Sequence, residues 1–299
     1  MTELALDCGA VSDTGLVRDH NEDRYWVDPE HGAFLVVDGV GGQAAGERAA
    51  ETAVTAIREA IVQNHTGPSE TRVREAIAAA NNCIYTEAQR HPELAGMACV
   101  LTLALVEGGQ VTIGHVGDSR LYVIGAGGIR KVTNDHSPVG QIEDAGELSE
   151  EEAMAHPRRN EVFRDVGSCP RAADAGDFVE VCQCELPSDA AMLLCSDGLS
   201  DHLTSRRIRE IAERYAGNST QTARHLVNAA NQAGGRDNIT VVFVAGPAFR
   251  GKNGATRPRL GVTRIRVRVQ GGRWFGRMAF LGYGVLLGML LWAVLRILG

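Results

Sequence analysis

Hydrophobic positions along this chain follow two rhythms. Short runs rich in Val, Ile, Leu and Phe recur at Phe34–Asp38, Cys99–Val106, Val111–Val116, Leu121–Ile124, Phe178–Cys184, Ala191–Cys195 and Ile239–Val244. Their length, their β-branched content and the Gly, Asp and Asn residues between them predict strands. Elsewhere the apolar spacing is helical, over residues 46–63, 70–90, 149–155, 205–216 and 220–232, with Val73, Ile77 and Ile84 marking one face of the second helix. Leu101–Val106, Val111–Val116 and Leu121–Ile124 are joined by connections too short for a parallel crossover, which predicts antiparallel hairpins. An antiparallel β-sandwich with helices outside is expected, not a doubly wound sheet.

A third pattern closes the chain. Met278 to Leu295 is eighteen residues without a charge, bracketed by Arg277 and Arg296. At about 1.5 Å per residue such a helix would span roughly 27 Å, close to the hydrocarbon thickness of a bilayer. The stretch before it, 247–277, is rich in Gly, Pro and Arg and carries nine of the ten basic residues found beyond residue 249. Three zones are therefore expected: a compact domain over 1–246, a basic linker over 247–277 and a transmembrane helix over 278–298. The basic flank predicts single-pass insertion in the cell inner membrane or plasma membrane, with the large domain cytoplasmic. Gly284 and Gly288 stand at the spacing of a helix-dimer face, and glycine is also common in membrane helices generally.

Charge sharpens the division. The chain carries 30 Lys and Arg against 37 Asp and Glu. No acidic residue lies beyond residue 249, so the preceding part has a formal net charge of −17. A domain this acidic repels nucleic acid. The seven cysteines form no CxxC pair and mostly sit in apolar runs, which predicts buried free thiols in a reducing compartment. The start, MTELALDCGAV, lacks the basic and apolar regions of a signal peptide.

The chemistry-bearing residues are acidic and scattered. RDHNED (Arg18–Asp23), VVDGVGG (Val36–Gly42), GDSR (Gly117–Arg120), CSDG (Cys195–Gly198) and RDN (Arg236–Asn238) each sit at the end of a strand-like run or on a matching loop. Any one of them is an ordinary turn. Five together suggest an oxygen-rich site for hard divalent cations, which take several oxygen ligands while keeping water. The glycines after Asp38 let backbone approach an ion, and no GK[ST] follows to make a phosphate loop. Arg18 beside a carboxylate cluster suits a phosphate, because a guanidinium matches phosphate oxygens in a bidentate fork. DTG at Asp13–Gly15 is the triplet of aspartic proteases, but no partner segment accompanies it.

Taken in order, SDTGLVRDHNED, VVDGVGGQAAGERAA, GMACVLTLAL, IGHVGDSRLYVI, VTNDHSPVGQI, HPRRNEV, LLCSDGLSDHL and GGRDNITVVFV resemble the metal-dependent type 2C serine/threonine protein phosphatases of bacteria, from about Gly9 to Ala245. The resemblance implies an α+β fold, a four-layer α/β/β/α sandwich of two antiparallel sheets flanked by helices. It implies two Mn²⁺ or Mg²⁺ ions with Asp38 bridging them and the Gly39 carbonyl on one. Asp197 and Asp237 would complete the second ion, Glu22 would hold metal-bound waters, and Arg18 would grip the substrate phosphate. Asp118, sharing Asp197, would serve a third and weaker ion. Asp23 falls on a motif position without an assigned role, and 135–167 corresponds to a flap beside the site. Implied partners are phosphorylated proteins, among them a membrane Ser/Thr kinase and its substrates.

Some positions depart from the family pattern. Val40 stands where eukaryotic members have a His proposed as general acid and bacterial members commonly have Met. Gln43, Val139-Gly140 and FRDVG (Phe163–Gly167) differ as well. The leaving-group acid is thus unassigned, a metal-bound water being the default, with His20 and His156 as weaker candidates. A competing expectation is a catalytically weak, membrane-tethered scaffold that binds phosphoproteins, although every implied ligand position is filled.

Overall fold

The computed structural model describes residues 5–41, 44–64 and 66–251. Among these, ten strands form two five-stranded sheets. The first runs in the order β1 (Asp7–Asp13), β10 (Ile239–Ala245), β9 (Ala191–Cys195), β6 (Arg120–Gly125) and β7 (Gly128–Lys131). The second runs β2 (Arg24–Asp28), β3 (Ala33–Val40), β4 (Ala98–Glu107), β5 (Gln110–Val116) and β8 (Glu180–Glu185). All pairings are antiparallel, and those of β2 with β3, β4 with β5 and β6 with β7 follow short connections. Helices α1 (Ala44–Gln63) and α2 (Ser69–Arg90) cover the second sheet, while α6 (Ser205–Ala212) and α7 (Ser219–Gln232) cover the first.

Side-chain alternation builds the layers. In β3, Ala33, Leu35 and Val37 pack with Ile57 of α1 and Ile77 of α2, whereas Phe34 and Val36 lie between the sheets. In β10, Ile239, Val241 and Phe243 face α7 residues such as Leu226, and Val242 and Val244 fill the inter-sheet core. Central strands are thus apolar on both faces, which is why they read as continuous hydrophobic runs. Strands β1, β2 and β7, absent from the sequence-based expectation, are sheet edges with mostly half-buried residues. Their composition is mixed because so little of them is sealed from water. The eighth strand begins at Glu180, two residues later than expected.

One expectation fails. GDSR does not close a hairpin between β5 and β6. β5 pairs with β4 and β8 in the second sheet, and β6 pairs with β9 and β7 in the first. The chain crosses between sheets at Gly117–Ser119. A short connection excludes a parallel pair but does not oblige the flanking strands to pair at all. Gly117 makes the crossing possible: its φ is +105°, and a Cβ there would lie 2.2 Å from the Val100 side chain.

The segment after β7 carries α3 (Pro138–Asp144) and α4 (Glu150–Met154), the latter opened by a capping box between Ser149 and Glu152. Arg120 fastens this flap by donating to both Asp135 and Glu143 at 2.6 Å, Lys131 reaches Asp144 at 2.7 Å, and Arg159 reaches Asp201 at 2.9 Å. All seven cysteines are free. Cys99, Cys184 and Cys195 are buried, but Cys83 and Cys169 are exposed, contrary to the expectation of burial. Packing continues past the expected boundary at 246, since Phe249 is buried against Tyr215 and Phe243. Residues 278–298 lie outside the described residues, as does most of the linker. Among the described residues no helix is long and apolar enough to cross a membrane.

Candidate active site

The same alternation that buries Phe34 and Val36 between the sheets carries Asp38 to that side at the end of β3. Gly39 then turns toward α1, where an added Cβ would fall 2.2 Å from the Gly46 carbonyl oxygen. On the other sheet, the Ser196 N–H donates to the Thr240 carbonyl at 3.1 Å, so Asp197 and Asp237 emerge from neighbouring strand ends. Asp197 opens the short helix α5 (Asp197–Ser200). Asp118 sits on the crossing between the sheets.

Arg18 and Glu22 lie on the β1–β2 loop, and one buried side chain, Asn238, ties that loop down at three points. Asn238 accepts from the Glu22 N–H at 2.8 Å and donates to the carbonyls of Thr14 and His20, each at 2.9 Å. Asp23 does not face the opening. It is buried and accepts from the Ser196 hydroxyl at 2.7 Å, while the Thr240 N–H donates to that hydroxyl at 3.0 Å. Sequence inspection saw RDN as a source of Asp237 and missed the clamp. The adjacent Asn was visible, but its three partners come from more than two hundred residues away.

All seven expected residues meet. Arg18, Glu22, Asp38, Gly39, Asp118, Asp197 and Asp237 line one cavity of about 430 Å³, together with Asp19, His20 and, from the flap, Asn160 and Val162. Asp118 and Asp197 also line a second cavity of about 20 Å³, walled by Asp201 and Arg159. His156 is not brought to either; its Nδ1 accepts from the Arg158 N–H within its own loop.

The carboxylates repel one another. Burial foremost, then Asp23, Asp197 and Asp118, raise the Asp38 carboxyl well above the ordinary range. Asp197 is raised likewise by burial and then by Asp201 and Asp118. Asp118 is pushed up to about 7 by burial and by Asp135 and Asp201, against the pull of Arg120. Burial, then Asp237 and Glu47, raise Glu22, with Arg18 countering. Arg18 donates to Asp237 at 2.8 Å and, among the described residues, is the one guanidinium lining the cavity. Asp197 Oδ1 is sealed from solvent without a hydrogen-bond partner.

A buried carboxylate oxygen without a donor is costly, and a hard cation would relieve it. The donors are carboxylates and a backbone carbonyl, with neither thiolate nor buried imidazole among them, which suits Mg²⁺ or Mn²⁺. Among the described residues no group of three His, Cys, Asp or Glu side chains is gathered closely enough to hold an ion by itself. The fit to the expected ions rests on the oxygen-only donor types and the unpartnered Asp197 oxygen.

A profile of the family described as Protein phosphatase 2C matches residues 17–233. The chain belongs to that family. Serine/threonine protein phosphatase PstP of Mycobacterium tuberculosis is 34% identical over 241 residues, covering 80% of this chain. That match covers 45% of the mycobacterial protein, so the chain spans less than half the length of that relative. The serine/threonine phosphatase stp of Listeria monocytogenes is 35% identical over 240 residues, 78% of this chain and 93% of the relative. Among solved structures, the PstP catalytic domain in complex with two manganese ions superposes with a TM-score of 0.70 at 30% identity, covering 80% of this chain and 97% of that one. A serine/threonine phosphatase from Staphylococcus aureus gives 0.73 at 29% identity, covering 82% and 97%. The two antiparallel sheets flanked by helices are therefore the phosphatase 2C fold.

Proposed function

We propose that this protein phosphatase 2C chain hydrolyses phosphoserine and phosphothreonine in proteins, using two Mn²⁺ or Mg²⁺ ions and attack by water. One observation carries it: seven residues from five separated segments, an oxygen-only donor set and a lone guanidinium, line one cavity. Among the described residues the lining includes no Ser, Thr, Cys or Tyr that could serve as a covalent nucleophile, which favours water.

When bound, divalent cations supply a water acidic enough to attack at neutral pH and neutralise charge on the phosphoryl oxygens. Asp38, Asp197 and Asp237 would hold the ions with the Gly39 carbonyl, Glu22 would orient water, and Asp118 with Asp197 would take a third ion. Arg18 is half-exposed beside Asp237 and would receive the phosphate, for which a guanidinium fork is suited. Asn238 fixes the loop that presents both Arg18 and Glu22. Positioning and electrostatics supply most of the acceleration in such a displacement.

The apolar run Met278–Leu295 and the basic residues before it support a membrane tether with the domain on the cytoplasmic side. Tethering raises the effective concentration of membrane-bound substrates, and a membrane Ser/Thr kinase with its phosphorylated targets is the partner class that placement favours. The test is phosphate release from a phosphothreonine peptide by the full-length protein with Mn²⁺, with EDTA and with Asp38→Asn. Release that needs Mn²⁺ and vanishes in both controls is expected. A folded, ion-binding protein inert toward a panel of phosphopeptides would leave a phosphoprotein-binding scaffold instead.

A further inference from the structure

The acidic cavity has an apolar rim. Val17 on the β1–β2 loop, Val40 at the end of β3 and Val162 on the flap all line it. Val17 is 66% exposed and Val40 42%, and Leu16 and Phe163, chain neighbours of two of the three, are exposed as well. None of the three valines belongs to the clusters that stabilise the fold. Their placement relative to the charged residues is close: Val17 directly precedes Arg18, and Val40 lies two strand residues beyond Asp38, about 7 Å along β3.

That distance matches an extended peptide, which advances about 3.5 Å per residue. A side chain one or two positions from a phosphorylated residue seated between Arg18 and Asp38 is therefore within reach of this rim. We propose that Val17, Val40 and Val162 select phosphorylated segments carrying an aliphatic or aromatic side chain within two residues of the phosphoserine or phosphothreonine. This rests on the phosphatase function proposed above. The occupant follows from continuity: the rim and the phosphate-binding floor are walls of one cavity, so whatever presents the phosphate also covers the valines. Asp19, exposed in the same wall, disfavours acidic neighbours on the substrate.

The test uses full-length, Mn²⁺-loaded protein with p-nitrophenyl phosphate and with phosphothreonine peptides that differ only in Leu, Ser or Glu beside the phosphothreonine. Leu is expected to exceed Ser in kcat/KM by about 10-fold, the low end for apolar contacts in a pocket, with Glu lowest. In Val17→Ser/Val40→Ser the Leu-to-Ser ratio should fall toward one. Dissociation constants of non-hydrolysable phosphonate versions of the peptides, measured by fluorescence anisotropy, should rank the same way. Hydrolysis of p-nitrophenyl phosphate without a Leu preference would overturn the rim, and so would a preference that survives the double substitution. Failure to hydrolyse p-nitrophenyl phosphate and every peptide would instead overturn the phosphatase function beneath it.

Discussion

Asn238→Ala tests whether one buried amide positions the loop that carries Arg18 and Glu22. Three hydrogen bonds disappear, from the Glu22 N–H and to the Thr14 and His20 carbonyls. At about 1 kcal/mol net each, the loss is about 3 kcal/mol, with a further cost for leaving the Glu22 N–H without its acceptor. In a domain of this size each kcal/mol moves Tm by about 2–4 °C, so a fall of about 6–12 °C is expected. Activity should suffer separately, because a misplacement of about 1 Å in a positioning loop costs on the order of 100-fold. Asn238→Asp keeps the acceptor for Glu22 but sets a carboxylate oxygen against two carbonyls, so it should rescue neither property. The assays are calorimetric melting, and kcat and KM for a phosphothreonine peptide at saturating Mn²⁺. KM should rise as well as kcat fall, since Arg18 rides on the same loop. An Asn238→Ala protein that melts within about 2 °C of wild type and keeps kcat/KM within about threefold would refute the clamp.

Asp38→Asn should reduce turnover on the order of 1000-fold, because several kcal/mol of charge stabilisation are lost at about 1.4 kcal/mol per decade. Arg18→Ala should act chiefly on KM, by about 10- to 100-fold for a charged hydrogen bond; steady-state kinetics separate the two. Gly39→Ala would drive a methyl against the Gly46 carbonyl oxygen, 2.2 Å away in the native backbone, and should cost about 1–3 kcal/mol in denaturant unfolding. His115 supplies a pH test away from the ions. Burial, then His136, push its pKa down to about 4, with Asp135 and Glu180 opposing. A lowered folded pKa means that its contribution is present above the unfolded value, about 6.5, and is lost as pH falls toward 4; it amounts to about 3 kcal/mol. Unfolding free energies at pH 7.5 and 4.5 in EDTA should therefore differ less for His115→Gln than for wild type, and an equal difference would refute it.

The central strands and the acidic positions were legible for the same reason. A strand buried on both faces must be apolar until it ends, so Phe34–Val37 and Ala191–Cys195 announce themselves, and the first carboxylate after each stands out. Edge strands gave no such contrast. In β1 and β2, residues such as Asp7, Ser12 and Arg24 alternate with half-buried apolar ones, and a mixed segment is compatible with a loop. Asn238 was hidden differently: its side chain acts through backbone atoms of Thr14, His20 and Glu22, and a backbone partner leaves no trace in residue identity.

The mistaken hairpin shows where local inference stops and what the fold gains there. Turn chemistry around Gly117 is the same whether the chain reverses within a sheet or passes to another, because both need a tight bend and a positive φ. Only the pairing of distant strands, β5 with β8 and β6 with β9, distinguishes the two. A hairpin would have left Asp118 on the edge of one sheet. The crossing instead sets it between the strand ends of both, beside Asp38 from the second sheet and Asp197 from the first. Asp118 can thus wall the large cavity and the small one at once. Its carboxyl is raised to about 7 because that position is buried among Asp135 and Asp201. The crossing thus brings to one place carboxylates that strand order within either sheet would keep apart.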